Sequence, residues 1–317
     1  MYGVFIGDIV GSKYEFNNIK TKDFPLFSKG CDYTDDTIMT VAVAQAIMKS
    51  REERFHNGKK SFQDCLVQTM QDFGRRYPAP TGAYGGRFAQ WLREKDPQPY
   101  NSYGNGSAMR VAPCGLVATV LEEAQALARA SAAVTHDHPE GIKGAAAAAS
   151  AVFLAKAGEG KERIREYITE HYYDLDFTID GIRGSYRFDV SCQGSVPQAL
   201  EAFFESESFE DAIRNVISIG GDCDTTGAIA GAVAWVYYIE QERSYSGWVY
   251  DELNDEMRAI KEQATSYLPK EFIEIADAFH EAAWKRAGVF ERTGGFCTPI
   301  LTDEEFKKYH EDWDKRS

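Results

Sequence analysis

The sequence predicts an all-α protein, a compact helical bundle, and three observations carry that prediction. Gly3, Gly7 and Gly11 recur every four residues among Val4, Phe5, Ile6, Ile9 and Val10. That period lines the glycines along one helix face, where a second helix can approach closely. Residues 141–157 form an alanine-rich run opening on Gly141 and Gly144, too small-sided for a surface helix. Between 225 and 239 almost every residue is apolar or small, and a helix apolar all round is buried all round.

The remaining segments follow in order. Ser12 to Asn17 leaves the first helix for a polar stretch through Gly30, with Glu15 near its base. Taken alone, Glu15 reads as a solvated loop acid. Thr34 is a good N-cap, and Asp35, Asp36 and Thr37 fill the first turn of a helix whose apolar face runs from Ile38 to Met48. A charged connection is expected over 49–60 and an amphipathic helix over 62–73. Two glycine-rich loops follow, 77–88 with Gly85, Gly86 and Arg87, and 103–113 with Gly104, Asn105, Gly106 and Ser107. Each is either an ordinary turn or a backbone cradle for phosphate. Two in succession suggest a pocket wall.

A helix over 122–134 is interrupted by Thr135, His136, Asp137, His138 and Pro139. The two histidines resemble metal ligands at first sight, but proline forces a helix start there and Asp137 or His138 can cap it. One histidine can still line a pocket. The stretch 159–191, charged and aromatic, reads as a helix followed by a surface excursion, and helices restart at Ser195 and over 209–219. Beyond Gln241 the chain is polar and amphipathic, with helices expected over 251–268 and 270–286, a break at Gly294 and Gly295, and an acidic tail.

Composition narrows the function classes. At 317 residues with a formal net charge of −14, the chain can bury a core without staples, and phosphate-backbone binding is disfavoured. The six cysteines form no CxxC pair, which argues against a thiolate zinc site and fits a reducing cytosol. No repeat, linker or composition shift divides the chain, so one domain over 1–317 is expected. No apolar stretch is long enough to span a membrane, and a soluble, cytoplasmic monomer is expected.

The chemistry lies in two separated clusters. Thr34, Asp35, Asp36 and Thr37 open one apolar helix; Gly220, Gly221, Asp222, Cys223, Asp224, Thr225 and Thr226 open the buried one. Capping accounts for the first cluster taken alone. It does not account for two aspartates at the mouth of a core helix, where carboxylates need a cation or hydrogen bonds. Oxygen ligands alone point to Mg²⁺ or Mn²⁺, and three or four carboxylates with threonine hydroxyls can hold two such ions on the order of 4 Å apart. Cys223 is a soft ligand and is expected to point away.

These stretches, together with residues 7–15, 84–86, 103–113, 135–141 and 220–231, resemble the ADP-ribosylglycohydrolase family. The resemblance runs in order over about residues 1–240, and residues 241–317 diverge. It implies an all-α fold with a binuclear Mg²⁺ or Mn²⁺ centre in a central cleft, held by Thr34, Asp35, Asp36, Asp222, Asp224 and Thr225. It places Glu15 where relatives acting on serine-linked or polymeric ADP-ribose carry a functional glutamate on a mobile loop, and makes Glu15, Asp36 and Asp224 the catalytic set. Gly85 and Gly86 would face the diphosphate, with Asn105, Gly106, Ser107 and His136 lining the ribose and diphosphate pocket. The implied activity is hydrolysis of the bond between ADP-ribose C1″ and an acceptor, a protein side chain, polymer or small conjugate. A non-catalytic ADP-ribose-binding protein and a different binuclear-metal hydrolase are the competing expectations.

Overall fold

The computed structural model describes residues 1–56, 60–246, 253–292 and 299–311, and these residues fold as helices with no strand among them. In chain order they are α1 (Tyr2–Ser12), α2 (Asp35–Phe55), α3 (Phe62–Arg76), α4 (Gly86–Trp91), a 3₁₀ turn (Asn105–Ser107), α5 (Ala112–Val117), α6 (Leu121–Ala133), α7 (Pro139–Lys156), α8 (Lys161–His171), α9 (Ile179–Arg183), α10 (Cys192–Phe204), α11 (Phe209–Ser218), α12 (Cys223–Ser246), α13 (Asp255–Thr265), α14 (Lys270–Arg292), α15 (Asp303–Phe306) and a π turn (Lys307–Glu311).

The central contact is α1 on α12. A Cβ added at Gly3, Gly7 or Gly11 would lie 2.1, 1.9 or 2.2 Å from the carbonyl oxygen of Gly231, Gly227 or Cys223 respectively. The two backbones therefore touch, and the descending partner numbers make the pair antiparallel. The C-terminal end of α1 is thereby delivered to the N-terminus of α12, and everything functional follows from that juxtaposition. On the other faces of α12 lie α7, α10 and α11. The alanine helix α7 is buried along most of its length, as its small side chains require.

Several boundaries differ from the sequence reading. Helix α2 runs on through the expected charged connection to Phe55, because Lys49, Arg51, Glu52 and Glu53 are good helix formers, while Ser50 is buried and donates to the Ile300 carbonyl at 3.0 Å. The stretch 159–191 is more than a surface excursion. It holds α8 and α9, it buries Ile164, Ile168, Tyr173, Leu175 and Ile179, and its end packs against Gly221 and Asn105 through Tyr186 and Val190. Helix α5 starts at Ala112, before the expected apolar run, because Pro113 in its first turn suits a helix start. In the C-terminal part, α14 is tied to α6 by Arg286, which donates to both Glu123 carboxylate oxygens at 2.8 and 2.5 Å in a buried pair. The expected break at Gly294 and Gly295, the acidic tail and Cys297 lie outside the described residues.

Candidate active site

Three helix ends converge. Asp8, on the face of α1 beside the glycine seam, is fully buried. One of its oxygens accepts from the backbone N–H groups of Thr34 and Thr37 at 2.9 and 3.1 Å, and the other from the Thr34 hydroxyl at 2.7 Å. The start of α2 is thus docked on α1 by a carboxylate that serves its orphan amides. Thr34 caps α2 as expected, its hydroxyl accepting from the Asp36 N–H at 3.2 Å.

The N-terminus of α12 closes the site from the other side. Gly220 and Gly221 turn the chain at φ of 66° and 87°, a left-handed pair that side chains resist. Asp222 then accepts from the Asn105 amide at 2.8 Å. The Thr225 hydroxyl reaches Asp36 Oδ2 at 3.3 Å, linking the two acidic clusters directly. The clusters expected from sequence are therefore one site.

Its carboxylates fall into two triads. Asp8, Asp36 and Asp224 present oxygens within 4.8 Å of one another, and so do Glu15, Asp222 and Asp224. Asp224 belongs to both. Oδ1 of Asp36 and Oδ1 of Asp224 are buried without a hydrogen-bond partner, which is costly for a carboxylate unless a cation meets it. Asp35, partly exposed beside them, joins neither triad, and Cys223 contributes to neither, as expected. His136 and His138 also stand outside the acidic clusters; His138 caps α7 by accepting from the Glu140 N–H at 3.1 Å.

Crowded acids in a dry setting hold their protons. Burial, then neighbouring carboxylates, raise Asp35, Asp36 and Asp224 well above the usual range. Burial also lifts Asp8 to about 6 against the hydrogen bonds from Thr37 and Thr34, and lifts Asp222 to about 6. Half-buried Glu15 rises to about 8 through burial and then the charge of Asp224. Without a cation the folded chain binds more of these protons than the unfolded chain, whose carboxyls titrate near pH ~4. Their contribution to stability therefore falls as pH rises from about 4 to about 8. The buried neutral imidazoles His136 and His280 act in the opposite sense below about pH 6.5, because the unfolded chain protonates them first. The useful readout is thus the gain in melting temperature on adding Mg²⁺ or Mn²⁺. That gain is expected to be larger at about pH 8 than at about pH 6, because cations and protons compete for the same oxygens. An equal or smaller gain at the higher pH would contradict a cation among these carboxylates.

The glycine loops form the rim. Gly82, at φ 79°, lies so close to Glu15 that a Cβ there would sit 3.0 Å from Glu15 Oε2. Gly85 and Gly86 face open space, with nothing within 4 Å of an added Cβ. Next to them Arg87 lies over the Tyr100 ring at 4.9 Å, and Tyr100 packs on His136 at 5.9 Å between ring centres. His136 Nε2 in turn lies beside Gly106 and Gly104, 3.3 and 3.5 Å from where their Cβ atoms would be. Two residues expected in the pocket lining have their side chains bonded to neighbouring groups. The Asn105 amide is held by Asp222, and Ser107 is fully buried with its hydroxyl donating to the Gly141 carbonyl at 2.7 Å.

Sequence reasoning missed three residues. Asp8 carried a signal, a single carboxylate on an otherwise apolar helix, which is costly unless it serves a site. Asn18 carried none. Its side chain pairs with the Gly221 peptide, donating at 2.9 Å and accepting at 2.8 Å, and also donates to the Glu15 carbonyl at 2.8 Å. It ties the Glu15 segment to the diglycine turn. Arg110, within the 103–113 stretch but given no role there, is buried.

An all-helical scaffold that gathers five carboxylates at converging helix ends, rimmed by glycine loops, defines a class of helical acid-cluster enzymes. The chain belongs to the ADP-ribosylglycohydrolase family, whose sequence model matches residues 1–242. It is similar to human ADP-ribosylhydrolase ARH3, with 26% identity over 74% of this chain and 83% of the relative. It is similar also to ADP-ribosyl-[dinitrogen reductase] glycohydrolase of Rhodospirillum rubrum, with 29% identity over 78% of this chain and 86% of the relative. Among solved structures, a chain titled ADP-ribosylglycohydrolase-related protein complex superposes with a TM-score of 0.60 at 21% identity, covering 89% of this chain and 95% of that one. That likeness shows the fold. Among the described residues no helix is long and apolar enough to cross a membrane.

Proposed function

We propose that this enzyme is a metal-dependent hydrolase that cleaves the glycosidic bond between ADP-ribose C1″ and an acceptor, reversing ADP-ribosylation in the cytoplasm. One observation carries the reading: two carboxylate triads share Asp224, and each of Asp36 and Asp224 keeps a buried oxygen without a partner. The donor set is all oxygen, which suits two Mg²⁺ or Mn²⁺ ions. Asp8, Asp36 and Asp224 would hold one and Glu15, Asp222 and Asp224 the other, with Thr34, Thr225 and Asp35 alongside. When bound, such ions supply Lewis acidity toward a vicinal diol and toward water.

The chain's own groups do the rest. Asp8 fixes where α2 begins and hence where Asp36 points. Asn105 orients Asp222, and Asn18 holds the Glu15 segment against the turn that carries Asp222. Gly85 and Gly86 leave room at the rim for a diphosphate, with Gly106 and His136 on the facing wall. Glu15, half-buried at the cleft edge, positions or protonates the groups at the scissile bond, where loss of the acceptor needs charge relief.

Release of free ADP-ribose from arginine-linked, serine-linked and polymeric substrates, each with Mg²⁺, Mn²⁺ or a chelator, tests the reading. Cation-dependent release from one linkage is expected. Binding of ADP-ribose with no release from any linkage would point instead to a binding protein. Glu15→Ala is expected to lower turnover by roughly 10²-fold or more while weakening ADP-ribose binding much less. A parallel loss in both would make Glu15 a binding residue only.

A further inference from the structure

Behind the second glycine loop lies a hydrogen-bond chain whose direction is set by chemistry. Arg110 is 1% exposed and, among the described residues, has no carboxylate on its guanidinium. Its Nη2 donates to the Ser131 carbonyl at 2.9 Å and to the Thr135 hydroxyl at 2.8 Å. Guanidinium can only donate, so the Thr135 oxygen accepts there and its one proton must go elsewhere. Among the described residues the acceptor for that proton is His136 Nδ1, 2.6 Å away. An acceptor Nδ1 leaves the imidazole proton on Nε2. Burial, reinforced by the nearby Arg110 charge, keeps the ring from gaining a second proton.

Nε2 has no acceptor among the described residues and lies beside Gly104 and Gly106, 3.5 and 3.3 Å from where their Cβ atoms would be, so that side chains there would crowd it. We infer that Arg110 and Thr135 are positioning residues that lock His136 as a neutral donor, Nε2–H outward, for an oxygen atom of a ligand seated on the loop 104–106. The identity of that oxygen as one of ADP-ribose rests on the proposed function; the lock does not. The arrangement separates two tasks. Arg110 supplies fixed positive charge from behind the wall, and His136 supplies direction without a charge of its own.

Multiple-bond ¹H–¹⁵N correlation spectra of the ¹⁵N-labelled protein, with the His136 ring assigned by its loss in His136→Gln, read the tautomer directly. The wild type is expected to show His136 with an unprotonated Nδ1 and a protonated Nε2 around neutral pH. A proton on Nδ1, or a charged ring, overturns the inference whether or not the protein binds ADP-ribose. Thr135→Val removes the donor to Nδ1 and is expected to give mixed tautomers and roughly tenfold weaker ADP-ribose binding, with Thr135→Ser restoring both. Unchanged binding in a Thr135→Val protein whose tautomer has shifted also overturns it. If the wild type shows the Nε2–H form yet binds no ADP-ribose, the lock stands and the proposed function falls.

Discussion

Asp224→Asn is expected to lower ADP-ribose release by roughly three orders of magnitude or more, at saturating Mg²⁺. Asp224 is the member common to both triads, and its Oδ1 is buried and unpartnered. Asparagine keeps the shape and the start of α12 while removing the charge that both candidate cation positions share. Asp36→Asn is expected to behave alike, because Asp36 is the other carboxylate of the two triads with an orphaned oxygen. A second readout separates chemistry from folding. Without divalent cations, Asp224→Asn is expected to be at least as stable as the wild type, since Asp222 and Asp224 oppose each other's charge. Wild-type turnover in either variant would sink the two-cation reading. Lost turnover together with lost folding in the absence of cations would show that Asp224 has a structural role that this geometry does not explain.

Gly7→Val is expected to destabilise the fold by more than about 4 kcal/mol, at the extreme of single substitutions. A Cβ at Gly7 would stand 1.9 Å from the Gly227 carbonyl oxygen and 2.2 Å from its carbon. Both atoms are backbone of a buried helix, so no side chain can swing aside. The two helices must separate, and well-packed cores resist even smaller insertions. Denaturant unfolding measures the loss. Gly184→Ala is the matched control, because nothing lies within 4 Å of its added Cβ and Gly184 has right-handed backbone geometry. It is expected to change stability by less than about 0.5 kcal/mol. A Gly7→Val protein as stable as that control would mean that the α1–α12 seam is not the close contact described. The same variant is expected to disturb the site, since the seam sets the distance between Asp8 and Asp224.

The helical architecture was legible because its signals are local. The four-residue glycine period of α1, the alanines of α7 and the unbroken apolarity of α12 each state how a helix must pack, whatever its partner. The second acidic cluster was legible for the same reason, since carboxylates at the mouth of a helix that cannot be solvated demand an explanation; the first, taken alone, read as a helix cap. Where local signals were weak, the reading failed by degrees. Helix α2 outran its expected end, since charged residues are good helix formers as well as loop formers. The stretch 159–191 hid its buried face among exposed charges, and its last residues pack against the site, Tyr186 on the Gly221 turn and the Val190 carbonyl accepting from the Asn105 N–H at 2.8 Å. Asn105 and Ser107 turn their side chains to Asp222 and Gly141, and which way a loop side chain turns is not written in its type.

By itself, then, the sequence determined an all-α chain, the residues that start its two acidic helices, and through the quoted motifs its family resemblance. Tertiary structure decided which carboxylate meets which. That outcome depends on the antiparallel seam of α1 and α12, because only its register brings Asp8 and Glu15 to Asp222 and Asp224. Asp8 gained its role from the amides of Thr34 and Thr37, 26 and 29 positions away. Asn18 gained its role from Gly221, 203 positions away. Hydrogen bonds of that span are set by how helices cross, and a helix crossing is a property of two surfaces that no single stretch of chain contains.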